Sequence, residues 1–198
     1  KIGENIPTDP CIAANAHALA RFAALSQEAG LVPIVEPEVL MDGKHLIARC
    51  EEVTDRVLRQ VFGELERFRV VLEGMLLKPN MVISALEAPQ PADVREVAET
   101  TVRTMRRHVP AAVPGIVFLS GGQSDVLATE HLNAMNQLGN VPWQLSFSYG
   151  RALQAPSLKA WDGKDVAAGQ RALLNRAQCN SAARYGRYSE NECEKLAA

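Results

Sequence analysis

Short apolar runs of strand length alternate with longer amphipathic runs of helix length along this chain. That alternation restricts the fold more than any other feature of the sequence. The apolar runs are residues 31–35 (LVPIV), 70–77 (VVLEGMLL), 115–119 (GIVFL) and 143–147 (WQLSF). They are mostly continuous in Val, Ile, Leu and Phe, as strands covered on both faces are. Pro33 weakens the first, because proline cannot donate to a ladder. Between the runs lie helices. Thr8 or Asp9 is placed to cap one running to about Glu28, with Gly30 closing it. A second is expected over about residues 44–67, where Val53, Val57, Leu58, Val61, Phe62 and Leu65 fall on one face. A third starts near Ala92 and repeats Val94, Val97, Ala98, Val102 and Met105 at helical spacing. A fourth starts near Gln123 and carries Val126, Leu127, Leu132, Met135 and Leu138. A short helix near Ala152 and a longer one over about residues 164–185 complete the pattern.

One helix followed by four strand–helix units implies parallel strands joined by right-handed crossovers. No Gly-x-Gly-x-x-Gly follows a strand, so a dinucleotide-binding sheet is disfavoured. The better reading of this α/β chain is a (β/α) barrel, of which four units are half of the eight that close it. The 198 residues carry a net charge of -2, which gives no reason to expect nucleic acid or an anionic membrane as a partner. No apolar run is long enough to span a bilayer, and residues 1–10 lack a signal-peptide core. Cys11, Cys50, Cys179 and Cys193 are scattered, with no Cys-x-x-Cys, and read as reduced thiols in a cytoplasmic protein. The chain opens Lys1-Ile2-Gly3-Glu4 without Met, which reads as a partial sequence. Residues 1–198 are expected to form a single partial domain.

Catalytic groups of such barrels gather at the carboxyl ends of the strands. Here those ends are Glu36-Pro37-Glu38, Lys78-Pro79-Asn80, Ser120-Gly121-Gly122 and Ser148-Tyr149-Gly150-Arg151. A lysine closing an apolar strand is partly desolvated, which favours the neutral amine that attacks a ketone or aldehyde. By position alone, a lysine snorkelling into solvent is the stronger reading. Glu36 and Glu38, two apart in an extended segment, point the same way. They suit the proton transfers by which a carbinolamine loses water. A plain ion pair with Lys78 stands even with that reading. Ser120-Gly121-Gly122 leads into a helix and is suited to an anion nest. Arg151 can hold phosphate through two parallel hydrogen bonds. A single Ser-Gly-Gly is most often a turn, but two anion-suited loops at adjacent strand ends are a firmer signal. His17, His45, His108 and His131 have no ligand-like partners at short spacing, so no zinc site is visible and they read as surface or packing residues. Trp143 and Trp161 read as packing residues. Arg103, Arg106, Arg107 and His108 read as a solvated helix end.

The run VVLEGMLLKPN (70–80) resembles the active-site signature of class I fructose-bisphosphate aldolases throughout its length. GLVPIVEPE (30–38), FLSGGQS (118–124) and SFSYGRALQ (146–154) resemble the family's supporting motifs, in the family's order. The likeness runs from Lys1 to about Tyr188. It implies the second half of a TIM barrel with Lys78 as the Schiff-base lysine. Glu36 is then the principal proton-transfer carboxylate, and Glu38 beside it holds the charge balance. Ser120, Gly121, Ser148, Gly150 and Arg151 would bind the phosphate next to the ketone, with Leu119 lending backbone contact. The implied reaction is reversible cleavage of fructose 1,6-bisphosphate to dihydroxyacetone phosphate and glyceraldehyde 3-phosphate, in glycolysis and gluconeogenesis. The imine on Lys78 replaces any cofactor or metal. The family is commonly tetrameric, so a homo-oligomer is expected.

The sequence departs from the family in two places. The family's aspartate on the first strand and basic residues on the third and fourth strands fall outside this chain. The family's tail often ends in tyrosine, whereas residues 196–198 here are LAA. Two functions follow. The chain samples an aldolase, or it is a catalytically incomplete half barrel that binds sugar phosphate or a partner. A different Schiff-base lyase is disfavoured by the Glu-Gly-x-Leu-Leu-Lys-Pro context.

Overall fold

Thr8 accepts the amide of Cys11 through its side chain and Pro10 occupies the first turn, so helix α1 starts at once and spans Asp9–Glu28. Gly30, at φ +74°, ends it, with Leu31 N–H returning to Ser26 O at 2.8 Å. The computed structural model containing this helix describes residues 1–193; the LAA tail lies outside the described residues. After α1 the order is β1 (Ile34–Val35), α2 (Ile47–Arg67), a 3-10 turn (Leu72–Gly74) and β2 (Leu76–Leu77). Then come α3 (Val94–His108), β3 (Gly115–Phe118), α4 (Asp125–Leu138), β4 (Gln144–Phe147), α5 (Arg151–Trp161), α6 (Val166–Arg184) and α7 (Glu190–Cys193).

The four strands form one parallel sheet in the order β1-β2-β3-β4, which is half of a (β/α)8 barrel. Its register aligns Val35, Leu77, Ile116 and Leu145 in one row, and all four are buried. That row belongs to a core shared with Ala16, Ala20 and Ala23 of α1, Val53, Leu58 and Leu65 of α2, Val97 and Met105 of α3, and Leu132 and Met135 of α4. A helix-covered outer row leaves the alternate residues on the inner face, where a barrel keeps its chemistry.

The first two strands are shorter than the apolar runs suggest. Leu31 and Val32 are exposed, and Pro33 serves only as acceptor, taking Leu76 N–H at 3.0 Å. Ahead of β2, the 3-10 turn at Leu72–Gly74 uses up residues expected to be extended, just after Arg69 turns the chain at φ +56°. The Gln27 side chain clamps Val71 from α1, accepting its N–H at 2.9 Å and donating to its carbonyl at 2.8 Å. Helix α2 starts at Ile47 rather than near residue 44. Helix α4 starts at Asp125 because Ser124, not Gln123, caps it through Leu127 N–H.

Several side chains depart from expectation. Leu127, Leu138 and Trp161 are exposed, whereas Trp143 is buried and donates to Pro110 O at 2.9 Å. The basic end of α3 is more than a solvated terminus. Arg103 grips Glu51 of α2 with two 2.9 Å bonds, and Arg107 reaches Glu51 and Asp55. His108 pairs with Asp55 at 2.8 Å, and Arg106 donates to the carbonyls of Gly139 and Asn140. These guanidinium groups, Arg103 first, hold the Glu51 carboxyl below its ordinary range.

Candidate active site

Glu36 and Lys78 each follow a residue of the buried outer row, so the two-residue period of a strand sends both side chains to the other face. The ladder holds to its end, with Lys78 N–H donating to Val35 O at 2.7 Å. Lys78 Nζ donates to Glu36 Oε2 at 3.0 Å, and the lysine side chain is only 20% exposed against 49% for the glutamate. The lysine stem is therefore largely covered, while its amine meets a carboxylate at proton-transfer distance in a pair that stays open to solvent. Glu38 is exposed and lies beside Glu36 on the wall of a cavity of about 430 Å³ between α1 and α2.

A residue without an assigned role in the sequence reading fixes this segment. Asn80 is buried, accepts Val39 N–H at 3.0 Å and donates to Thr54 Oγ1 and to the carbonyl of Met81. Its amide thus fastens the strand end that carries Lys78 to the segment that carries both glutamates. Asn after Lys-Pro is visible in the sequence, but its partner Val39 is 41 residues away.

The next strand end is the glycine loop. Leu119 N–H donates to Pro79 O at 3.2 Å, which fixes where the loop leaves the sheet beside Lys78. Ser120 is buried, and Gly121 and Gly122 adopt φ +59° and +90°. A Cβ on Gly121 would lie 2.6 Å from Met41 Cε and 3.0 Å from Leu119 Cδ1, so the turn needs glycine for both conformation and space. Gln123 closes the loop, donating to Ser120 O from its backbone at 3.1 Å and from its side chain at 3.0 Å. Its amide oxygen faces His131 Nδ1, and since that oxygen only accepts, the imidazole carries its proton there. Burial pushes His131 down to about 4, so the ring is neutral near pH 7. No sequence signal marks this brace, because Gln123 and His131 meet only through the way α4 follows the loop.

At the last strand end Ser148 N–H donates to Phe118 O at 3.1 Å, which keeps β3 and β4 together up to their loops. Gly150 caps α5 without a side-chain bond, and Arg151 is exposed at the helix start. Parallel pairing brings Lys78 and both loops to one end of the sheet. Lys78 is roughly 5 Å, one strand spacing, from β3 and roughly 10 Å from β4. Of the remaining histidines, His17 pairs with Glu64 at 3.1 Å, and the ring nitrogens of His45 are buried without a hydrogen-bond partner. Among the described residues no group of three or more His, Cys, Asp or Glu side chains is arranged to hold a metal ion. No helix of the described residues is long and apolar enough to cross a membrane. Among the described residues no two cysteines form a disulfide.

The family model described as "Glycolytic: Fructose-bisphosphate aldolase class-I" matches residues 1–198. A "Probable fructose-bisphosphate aldolase class 1" of Xanthomonas campestris is 56% identical over 191 residues, covering 94% of this chain and 57% of that protein. The fructose-bisphosphate aldolase of Dictyostelium discoideum is 51% identical over 193 residues, covering 96% of this chain and 54% of that protein. Among solved structures, the Plasmodium falciparum fructose-bisphosphate aldolase, in complex with TRAP and a small-molecule inhibitor, superposes with a TM-score of 0.91. It is 52% identical, over 92% of this chain and 53% of that one. The chain spans about half the length of these relatives, and over that half it belongs to the class I fructose-bisphosphate aldolase family.

Proposed function

We propose that this chain supplies the imine-forming lysine and the ketose-phosphate cradle of a Schiff-base lyase. Lys78 Nζ attacks the ketone of a sugar phosphate. The carbinolamine loses water to form a protonated imine, and Glu36 carries the protons involved. In the complete reaction the imine nitrogen draws in the electron pair of the breaking carbon–carbon bond. Glyceraldehyde 3-phosphate leaves and an enamine of dihydroxyacetone phosphate remains, to be protonated and hydrolysed. Glu38 keeps the charge balance beside Glu36. Ser120, Gly121, Ser148, Gly150 and Arg151 take the phosphate next to the ketone, with Leu119 anchoring the base of the first loop. The observation that carries this reading is the Lys78 amine at its strand end, 3.0 Å from the Glu36 carboxylate of the neighbouring strand end.

For these 198 residues by themselves, the observations favour the narrower function. Residues 1–198 form one partial domain that captures a carbonyl and binds sugar phosphate without completing the cleavage. The sheet has four of a barrel's eight strands. The chain covers 57% of the Xanthomonas relative, and the family's distal groups lie in the other part. The substrates are fructose 1,6-bisphosphate and the triose phosphates, in glycolysis and gluconeogenesis. Relatives named as cytoplasmic and cytosolic isozymes, from Pisum sativum and Arabidopsis thaliana, support a cytoplasmic location. A homo-oligomer, a tetramer as is common in the family, is the assembly we assign to the whole protein.

The test is borohydride trapping. Dihydroxyacetone phosphate and borohydride should leave a reduced three-carbon adduct on the peptide containing Lys78, located by mass spectrometry. The same chain should cleave fructose 1,6-bisphosphate far more slowly than it forms the adduct. Unchanged labelling after Lys78→Met would refute the lysine assignment. Fast cleavage by the chain alone would refute the narrower function.

A further inference from the structure

We propose that Met41 and Leu86 are positioning residues that clamp the glycine loop in its anion-binding shape, so that phosphate affinity is set in part by two apolar side chains from the neighbouring loops. This rests on the reading of Ser120 and Gly121 as part of the phosphate site.

The burial pattern of a strand continues past the end of β1. Val35, Pro37, Val39 and Met41 are buried, whereas Glu36, Glu38 and Leu40 are exposed. The face opposite the two glutamates is therefore packed inward, and Met41 is its last member. Two bonds fix where Met41 arrives. Val39 N–H donates to Asn80 Oδ1 at 3.0 Å, and Leu86 N–H donates to Met41 O at 2.9 Å. Asn80 and Leu86 both belong to the connection between β2 and α3. That connection is tied to the glycine loop in turn, through Leu119 N–H and Pro79 O at 3.2 Å. The loops of three strand ends thus meet at Gly121 and Gly122.

They meet through apolar contact. Met41 Cε and Sδ lie 2.6 Å and 3.8 Å from the place a Cβ would occupy on Gly121. From the same place on Gly122, Met41 Sδ is at 3.5 Å and the two Leu86 methyl groups are at 3.7 Å and 4.0 Å. Met41 is a buried wedge against the first glycine, and the exposed Leu86 covers the second. An unbranched thioether suits so irregular a gap. Both hydrogen bonds from Gln123 end on the Ser120 carbonyl, so they close the turn without holding the glycines inside it. Glycine leaves a positive φ at little cost, and a nest grips an anion only while its successive amides converge. Packing from Met41 and Leu86 removes the alternatives before a ligand arrives, which raises affinity without a new contact.

The test compares borohydride trapping of dihydroxyacetone phosphate with that of dihydroxyacetone, which lacks the phosphate, in Met41→Ala, Met41→Leu and Leu86→Ala. Met41→Ala should raise the half-saturating concentration of dihydroxyacetone phosphate roughly fivefold to thirtyfold, the scale on which two released glycines regain freedom. Leu86→Ala, at an exposed position where folding has little to lose, should raise it by a smaller factor. Met41→Leu refills the space and should stay near wild type. The rate at saturation and the trapping of dihydroxyacetone should stay unchanged in all three. Amide hydrogen exchange without ligand supplies a reading independent of Lys78: Met41→Ala and Leu86→Ala should speed exchange in residues 120–123 more than in the rest of the chain. An equal shift for both ketones, a Met41→Leu chain as impaired as Met41→Ala, or uniform acceleration along the chain overturns the clamp. A wild-type chain that traps both ketones equally refutes the phosphate reading instead, and the exchange experiment still decides whether the glycine loop is clamped.

Discussion

Acid should unlock the glycine loop through one buried ring. His131 is 3% exposed, and its Nδ1–H holds the Gln123 amide that in turn holds the Ser120 carbonyl. Its Nε2 is buried with no hydrogen-bond partner, so a second proton there would be a charge without water or counterion. Burial lowers the ring from 6.5 to about 4. Because the folded value is below the unfolded one, the unfolded chain takes up the proton first as pH falls. The stabilisation is therefore complete above about pH 6.5 and is lost progressively down to about pH 4. The gap is worth roughly 3 kcal/mol, with a slope that cannot exceed about 1.4 kcal/mol per pH unit for one proton. That is a large part of a domain's usual 5–15 kcal/mol, roughly speaking. Urea unfolding of the chain, followed by circular dichroism from about pH 7.5 to about pH 4.5, gives the curve. His131→Gln should be less stable near neutral pH, by about 1–3 kcal/mol for the lost bond and packing, but flatter. The two curves should converge in acid. His45, also lowered by burial, titrates in both proteins and cancels in the difference. Parallel curves would refute the argument, because a ring that protonates equally in both states contributes no slope.

Two further substitutions test the site's scaffolding. Gly121→Ala should cost about 1–2 kcal/mol for the left-handed backbone, plus a clash with Met41 at 2.6 Å. A thermal melt should show Met41→Ala recovering the clash but not the backbone part, and full recovery would sink the conformational argument. Asn80→Ala should cost about 2–3 kcal/mol, because Val39 N–H and the Met81 carbonyl lose their partner. It should also slow ketone trapping, since Glu36 is no longer fixed against Lys78. Loss of stability with trapping unchanged would show that Asn80 supports the fold and not the pair.

What the sequence reveals of this molecule follows from the range over which each feature is determined. The start and end of α1 are local, since Thr8 and Gly30 act within a turn of themselves, and they are found where their chemistry puts them. The Lys78–Glu36 pair spans 42 residues, yet it too is legible, because two parallel strands with buried outer rows leave their next residues no other face. The first two strands read too long because apolar composition does not count hydrogen bonds. Pro33 cannot donate, and Glu73-Gly74 makes a turn that no hydrophobic pattern reports. The basic end of α3 misleads for a related reason. Its arginines suit a helix terminus, but Glu51 and Asp55 face them only once α2 and α3 pack.

Arg176 lies furthest from the reach of sequence reasoning. On α6 a charged residue is ordinarily surface, and only the placement of α6 over Asp125 and Thr129 makes it the most deeply buried cation of the site's support. The groups proposed to meet substrate lie at strand ends, where topology dictates position. The groups that hold them still, Asn80, His131 and Arg176, lie where separate elements happen to meet. For that reason substitutions in the supporting set are the sharper test of this structure: the role proposed for Lys78 rests on resemblance as well as geometry, but the losses expected for Asn80→Ala and His131→Gln follow from packing alone.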